Sequence, residues 1–181
     1  MNIIQTEFPG LLIIEPNVFG DERGFFMESW NQSVFNKAVG RDVHFVQDNH
    51  SRSAKGVLRG MHYQMQQPQA KLVRAIRGTV LDVVVDLRLS SPMFGKHMVV
   101  ELSEYNQRQL WIPEGFAHGF LVLSEFADFL YKATDYYHPA SERCLLWNDS
   151  ALAIDWTTKD VLVSNKDSQG AAFDADGEYF S

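Results

Sequence analysis

Alternation between apolar and polar residues dominates this chain and predicts many short β-strands. The segments concerned are rich in β-branched and aromatic residues and are bounded by turn residues. The predicted strands are Leu11–Glu15, Phe25–Trp30, Val43–Gln47, Val57–Tyr63, Lys71–Arg77, Val80–Arg88, His97–Leu102, Gln109–Ile112, Phe116–Leu123, Phe126–Ala133 and Arg143–Trp147. Many short strands with little helix predict an all-β fold, a double-sheet barrel or jelly roll whose interior can hold one ligand.

Two neighbouring strands carry a more detailed prediction. Gly78-Thr79 lies between Lys71–Arg77 and Val80–Arg88 and predicts a hairpin turn that joins them. In the second strand the aliphatic residues fall on one face, and Asp82 and Asp86 fall on the other. This pattern is typical of an antiparallel strand with one solvated face.

The helical content is predicted to be small and peripheral. Asn31 is a suitable N-cap, Val34 and Phe35 begin an apolar face, and Gly40 can end the helix. The last thirty residues, from Ala151, predict a short helix or turns followed by a polar tail.

Length and composition limit the class of protein. A chain of 181 residues is expected to form one domain, residues 1–181, with a substantial core. Sixteen basic against 23 acidic residues give a net charge of −7, which argues against general nucleic-acid binding. No apolar run is long enough for a membrane span, and the N-terminus lacks the pattern of a secretory signal. With the single Cys144, these features predict a cytoplasmic location.

Two segments carry candidate chemistry. Val57–Gln64 and Trp111–Phe120 each set one histidine, His62 or His118, among large apolar residues with a glycine close by. A buried imidazole needs a hydrogen-bond partner, so each histidine is either a satisfied core residue or a group for proton chemistry.

Other polar groups extend this candidate site. Strand periodicity puts Tyr131 on an apolar face that can line the same barrel. Lys71 begins the next strand, and Arg59 and Arg23 lie at loop edges, so cations are available for phosphate or enolate oxygens.

Eight segments of the chain carry a resemblance to one known family. They are Phe19–Phe26, Phe45–Ser51, Val57–Gln64, Lys71–Arg74, Arg108–Phe120, Phe129–Tyr137, Glu142–Cys144 and Leu146–Asp149. In these segments the chain resembles the dTDP-4-dehydrorhamnose 3,5-epimerases, and the similarity runs from about Phe8 to the tail, in order and nearly without gaps. The resemblance implies a cupin-like jelly roll that needs no metal or cofactor, acts as a homodimer and converts a dTDP-4-keto-6-deoxy sugar.

The resemblance also implies roles for individual residues. His62 matches the family's general base and Tyr131 its general acid, while Lys71 matches the group that stabilises the enolate oxygen. Asp167, within Ser164–Asp167, resembles the carboxylate that orients the histidine.

The implied substrate-binding residues are more numerous. Arg23 and Arg59 match diphosphate- and sugar-binding positions. The nucleotide-contacting positions are Glu28, Gln47, Asp48 and Asn49. Further ligand-contacting positions are His118, Glu142 and Lys166, and Phe19, Phe26 and Tyr137 match surfaces that can stack on the base.

Three alternatives stay open at this point. A C3-only epimerase or a 3,4-ketoisomerase would use the same substrate. A metal-dependent cupin oxygenase needs a third protein ligand, but the usual His-x-His pair is here His62-x-Gln64 and no glutamate follows before Gly78. A non-catalytic carbohydrate-binding barrel would keep the fold without turnover.

Overall fold

The computed structural model describes residues 1–181, and β-strands make up most of its regular structure. The fourteen strands are β1 (Asn2–Gln5), β2 (Leu12–Glu15), β3 (Val18–Asp21), β4 (Gly24–Met27), β5 (Gln47–Ala54), β6 (Val57–Gln64), β7 (Lys71–Arg77), β8 (Thr79–Asp86), β9 (His97–Ser103), β10 (Gln109–Ile112), β11 (Phe116–Val122), β12 (Phe126–Ala133), β13 (Glu142–Cys144) and β14 (Leu162–Val163). The helices are α1 (Gln32–Val39) and α2 (Asn165–Ser168), with a 3-10 turn at Pro139–Ser141. Neither helix is long and apolar enough to cross a membrane.

Two large sheets face each other and enclose the core. The first has the order β1-β2-β10-β7-β12-β5, and the second has the order β13-β6-β11-β8-β9, with β14 beside β6. A cluster of 15 buried apolar residues joins the facing strands, Val73 and Phe129 from the first sheet and Val84 and Phe120 from the second among them. The predicted double-sheet barrel is confirmed.

The hairpin predicted at Gly78-Thr79 is wrong. β7 pairs with β10 and β12, whereas β8 pairs with β11 and β9, so the chain crosses from one sheet to the other at Gly78. Gly78 has a φ of +74°, and a Cβ there would lie 2.1 Å from the carbonyl oxygen of Phe126. The glycine is needed because the crossing brings two backbones together, not because a hairpin reverses the chain.

The predicted solvated face of β8 is also wrong. Its aliphatic face packs against Leu152 and Trp156 from the C-terminal region. Asp82 and Asp86 on the other face are both 0% exposed. Asp86 is neutralised by Arg88 at 2.6 Å, and Asp82 faces the interior. The polar positions of this strand therefore mark the inside of the barrel, where their charges have partners.

The helix predicted after Asn31 is confirmed as α1. The Asn31 side chain accepts a hydrogen bond from the Val34 N–H, and Gly40 ends the helix in the left-handed conformation. Phe35 is buried against Trp30 and Trp111, with ring centroids 4.7 and 5.0 Å away. α1 thereby covers part of the outer face of the first sheet.

Two predicted strands differ because of this aromatic cluster. Phe25–Trp30 ends as β4 at Met27, and Val43–Gln47 forms no strand before Gln47. Trp30 and Phe45 instead turn towards Phe35, and their ring centroids lie 4.8 Å apart. Trp30 and Phe45 are apolar because they pack between α1 and the sheet, not because they alternate along a strand.

The C-terminal residues are not the polar tail that the sequence predicts. Phe180 pairs its backbone with Leu87 and Leu89 at the end of β8, and its ring lies 6.1 Å from that of Tyr63. Tyr179 stacks on Phe173 at 5.7 Å. Three aromatic side chains spaced among polar residues are enough to hold this segment on the outer face of the second sheet.

Candidate active site

The two histidine strands are neighbours. β6 and β11 pair antiparallel, with His62 directly opposite His118. The glycines between them permit close approach, because a Cβ at Gly119 would lie 2.7 Å from the Arg59 carbonyl oxygen. The register shifts between His118 and Phe120. This irregular pair of strands places both imidazoles at one end of the barrel.

His62 forms a dyad with Asp167. Ser164 caps α2 by accepting a hydrogen bond from the Asp167 N–H, which presents the Asp167 side chain to β6. The His62 Nε2 and Asp167 Oδ1 atoms lie 2.7 Å apart, and the Gly60 N–H donates to Asp167 Oδ2 at 3.2 Å. Burial alone would raise the pKa of Asp167, but these bonds outweigh burial and hold its pKa below the ordinary value. The carboxylate thus stays charged and can stabilise a protonated His62.

A cavity opens on the other side of His62. Its volume is about 510 Å³, including the space at its open mouth. The polar groups in its lining include His62, Lys71, Tyr131, Tyr137, Glu142 and Gln64, and Phe116 and Phe180 are among the apolar ones. The three residues predicted to act as base, acid and enolate-stabilising cation therefore line one cavity.

Tyr131 and Lys71 have the protonation that this chemistry needs. Burial, helped by the charge of Glu142, raises the pKa of Tyr131, so its phenol keeps its proton. Burial lowers the pKa of Lys71 to about 8, and the charges of Asp82 and Glu142 oppose that shift. The Lys71 ammonium lies over the Tyr131 ring, 5.9 Å from its centroid. At neutral pH the cavity holds a phenol that can donate a proton beside an ammonium group.

Glu142 joins two of the predicted ligand-contacting residues. The Tyr137 hydroxyl donates to Glu142 Oε2 at 2.7 Å, and Lys166 forms an ion pair with the same oxygen. Burial would raise the pKa of Glu142, but the bonds from Lys166 and Tyr137 lower it below the ordinary value. Tyr137 and Glu142 line the cavity, and Lys166 joins them through Glu142 to form one polar wall.

The predicted nucleotide-contacting residues on β5 divide between two faces. Asn49 is paired in register with Tyr131, and its Oδ1 accepts a hydrogen bond from Gln47 Nε2 at 3.1 Å. The Asn49 Nδ2 group is buried and has no partner, as expected of a donor reserved for a ligand. Asp48 alternates to the outer face, where it pairs with Lys132 at 2.7 Å and does not join Asn49.

Arg59 lies beside a second cavity that adjoins the dyad. Its Nε donates to Ser53 Oγ at 3.0 Å, which fixes one edge of the guanidinium. The second cavity is also lined by His62, Lys166 and Asp167. His62 therefore belongs to the lining of both cavities.

Several predicted binding residues do not reach the cavity within this chain. Phe19, Arg23 and Phe26 belong to the β3–β4 hairpin, which pairs with no other strand and has its own surface cleft. Phe19 and Phe26 are 65% and 71% exposed. Glu28 follows the hairpin and accepts a hydrogen bond from Asn31. These four side chains remain apart from His62 and Tyr131.

His118 lies behind the cavity rather than in its lining. It is 7% exposed and its Nε2 lies 2.9 and 3.0 Å from the two carboxylate oxygens of Asp82. Sequence reasoning missed Asp82 as the partner of His118 and also missed Phe180 in the cavity lining. The available signal for Asp82 was a carboxylate at the centre of the otherwise apolar run Val80–Val85.

One group of side chains has the proximity of a metal site but not its chemistry. The ligand atoms of His62, Cys144 and Asp167 lie within 4.8 Å of one another. The imidazole and the carboxylate are already hydrogen-bonded to each other. Burial raises the pKa of the Cys144 thiol to about 12, so the thiolate that binds metal is disfavoured. The geometry fits a proton-transfer dyad better than a metal centre.

Comparisons with known proteins agree with this chemistry. Residues 5–175 match the family described as dTDP-4-dehydrorhamnose 3,5-epimerase. Proteins of that name from Shigella flexneri and Pseudomonas aeruginosa are each 59% identical over 181 residues, with 99% of both chains covered. The crystal structure of the Legionella pneumophila epimerase in complex with dTDP-4-keto-L-rhamnose has a TM-score of 0.92 and 55% identity, covering 94% of this chain and 92% of that one. This chain belongs to the dTDP-4-dehydrorhamnose 3,5-epimerase family.

Proposed function

We propose that this protein converts dTDP-4-dehydro-6-deoxy-D-glucose to dTDP-4-dehydro-L-rhamnose by inverting C3 and C5. The observation that carries the proposal is the cavity in which the His62–Asp167 dyad, Tyr131 and Lys71 converge. Family membership supplies the substrate class. The hydrogens on C3 and C5 are both α to the C4 ketone, so each can be exchanged through an enolate.

The first half of each inversion is proton removal. His62 takes the proton from the carbon, the C–H electron pair moves into the carbon–carbon bond, and the ketone oxygen becomes an enolate oxygen. Asp167 stabilises the imidazolium that results, because it is a charged carboxylate 2.7 Å from His62 Nε2. Lys71 stabilises the negative oxygen as a cation or hydrogen-bond donor.

The second half is proton return from the opposite face. Tyr131 donates its phenolic proton to the enolate carbon, which inverts the configuration and restores the ketone. The raised pKa of Tyr131 favours this role because the phenol is protonated when the enolate forms. Solvent then reprotonates Tyr131 and deprotonates His62, so the cycle consumes no cofactor.

Binding is proposed to use the polar wall and the β5 face. Arg59 and Lys166 would meet the diphosphate and sugar, Gln47 and Asn49 the nucleotide, and Tyr137 the thymine ring. The unpartnered Nδ2 of Asn49 supports its part in this set. Glu142 keeps Tyr137 and Lys166 in place. His118 is left out of this set because it lies behind the cavity, hydrogen-bonded to Asp82.

We propose a homodimer to account for the predicted binding residues of the β3–β4 hairpin, which lie away from the cavity of their own chain. The β3–β4 hairpin exposes Phe19, Phe26 and Arg23 with no partner strand in its own chain. Burying those rings against a second copy would remove apolar surface from water. Sedimentation should give a dimer, and Phe26→Asp should weaken it.

A cytoplasmic location also stays a prediction.

Product analysis tests the proposed function. Purified protein is incubated with dTDP-4-dehydro-6-deoxy-D-glucose, and the recovered sugar is identified by NMR. The L-lyxo product supports the double epimerase. A C3 epimer alone or a 3-keto sugar would instead indicate a mono-epimerase or a ketoisomerase, and no conversion would favour a binding barrel. Stoichiometric bound iron, measured by mass spectrometry, would contradict the metal-independent mechanism.

A further inference from the structure

Phe180 is a cavity-lining residue for which the proposed mechanism has no use. It is half-buried and belongs to the same lining as His62, Lys71 and Tyr131. Its side chain cannot exchange protons and has no polar atom with which to bind phosphate. What it offers a ligand is an apolar surface, and Phe116 offers a second one in the same lining.

The position of Phe180 is fixed through its backbone. Its N–H donates to the Leu87 carbonyl oxygen at 3.2 Å, and its own carbonyl oxygen accepts from the Leu89 N–H at 2.7 Å. Its ring meets the Tyr63 ring in an edge-to-face arrangement, with centroids 6.1 Å apart. The ring is therefore held against the end of β8 by contacts that need no ligand.

A turn beside Phe180 brings in the second phenylalanine. Gly115 has a φ of +92°, and a Cβ there would lie 3.7 Å from the Phe180 Cβ and 2.4 Å from Arg88 Cγ. The Arg88 guanidinium lies 4.5 Å from the centroid of the Phe116 ring and is paired with Asp86 at 2.6 Å. Phe116 and Phe180 thus adjoin one turn, supported by a buried ion pair, and form an apolar wall of the cavity.

The proposed substrate has one substituent that suits this apolar wall. Its sugar ring carries hydroxyl groups, a ketone, the diphosphate and a single methyl group, C6. That methyl is attached to C5, one of the two carbons on which His62 and Tyr131 are proposed to act, so it must lie within the same cavity. A hydroxyl group on C6 would instead be pressed against phenyl rings without a hydrogen-bond partner, which is unfavourable.

We propose that Phe180, together with Phe116, packs against the C6 methyl group and makes the cavity selective for 6-deoxy sugars over their 6-hydroxy counterparts. The inference rests on the proposed function, which supplies the sugar nucleotide. It assigns specificity, not proton transfer, to the C-terminal segment. The other apolar part of the ligand is the thymine ring, for which Tyr137 is already proposed.

Binding of two unreactive sugar nucleotides tests the role of Phe180. The probes are dTDP-6-deoxy-D-glucose and dTDP-D-glucose, which differ only at C6 and have no ketone, so calorimetry gives their affinities without turnover. The wild type should bind the 6-deoxy compound about tenfold more tightly or better. In Phe180→Ala the two affinities should come within about threefold of each other, because the lost ring no longer excludes the hydroxyl group.

Two further measurements show which part of the ligand Phe180 contacts. Phe180→Leu keeps an apolar side chain and should keep most of the preference for the 6-deoxy sugar. The affinity for dTDP alone, which lacks the sugar, should not change in Phe180→Ala. A loss of dTDP affinity equal to the loss for both sugars would place Phe180 at the nucleotide and overturn the proposal.

A matched control excludes a merely structural role. Phe94 is also half-buried and packs against the C-terminal segment, with its ring 5.8 Å from that of Tyr179, but it does not line the cavity. Phe94→Ala should lower the free energy of unfolding and leave the preference unchanged, since Phe180 keeps its bonds to Leu87 and Leu89. If Phe180→Ala does not fold, Phe180→Gln takes its place, with the same expected result.

The outcomes for this inference and for the proposed function can be told apart. Equal affinities of the wild type for the two sugars, or an unchanged preference in a folded Phe180→Ala or Phe180→Gln variant, would overturn the role of Phe180 even if the protein epimerises its substrate. A preference that depends on Phe180 in a protein without epimerase activity would instead refute the proposed function and support recognition of C6.

Discussion

Replacing Asp167 with asparagine is the most informative single perturbation of the dyad. The carboxylate is 4% exposed and makes two bonds at the site, to His62 Nε2 at 2.7 Å and from the Gly60 N–H at 3.2 Å. Asparagine can keep one of these contacts and nearly the same volume. What it cannot supply is the negative charge that faces His62 when the imidazole takes a proton.

The size of the effect follows from that lost charge. A hydrogen bond to a charged group contributes about 1.5–3 kcal/mol. In Asp167→Asn this amount is lost mainly in the transition state, where His62 becomes positive, rather than in the ground state. Since about 1.4 kcal/mol corresponds to a factor of ten in rate, kcat should fall about 10- to 150-fold. KM should change little, because Asp167 touches His62 and not the substrate.

The assay is steady-state turnover with NMR detection, alongside urea unfolding to confirm that the variant is folded. Asp149→Asn is a suitable control, because Asp149 is a similarly buried carboxylate that accepts backbone N–H bonds away from the cavity. It should lower stability and leave kcat unchanged. A fall in kcat of less than about threefold in Asp167→Asn, or an effect confined to KM, would refute the dyad mechanism.

Three further predictions concern the acid, the cation and the core. Tyr131→Phe should permit proton removal but not correct proton return, so NMR should detect exchange of substrate hydrogens with solvent and little epimer. Lys71→Met should lower kcat by about 10²–10³-fold, the usual cost of losing a donor to a developing oxyanion, and the alkaline limb of the wild-type pH profile near pH 8 should disappear with it. Phe35→Ala, at a residue 1% exposed among the rings of Trp30, Phe45 and Trp111, should reduce the urea-measured free energy of unfolding by about 3–5 kcal/mol without changing KM.

Strand periodicity was sufficient to predict the fold class but not the direction in which a face points. In β8 the alternation of aliphatic and acidic residues is genuine, and it was interpreted as a core face and a solvated face. The C-terminal region covers the aliphatic face, and Asp82 lies inside the barrel. A sequence pattern of period two cannot tell which of two buried faces holds the ligand, because that depends on segments far away along the chain.

The candidate site could likewise be predicted from the sequence only in part. His62 and Tyr131 lie on strands whose alternation directs them inwards, so local patterns and the family resemblance were enough for these two. The contact between His62 and Asp167 spans 105 residues and depends on the short helix α2, which no local signal positions. The side chains of Arg23 and Phe26 could be recognised, but their distance from the cavity depends on how the β3–β4 hairpin is placed.

Deuterium incorporation from heavy water reports on both inversions at once, since one cavity is proposed to exchange two carbon-bound hydrogens through enolates. The protein is incubated with dTDP-4-dehydro-6-deoxy-D-glucose in heavy water, and the product is examined by mass spectrometry and NMR. The double-epimerase mechanism predicts one deuterium at C3 and one at C5, both in the L-lyxo product. A product without deuterium at either position, or with deuterium at C3 alone, would contradict it.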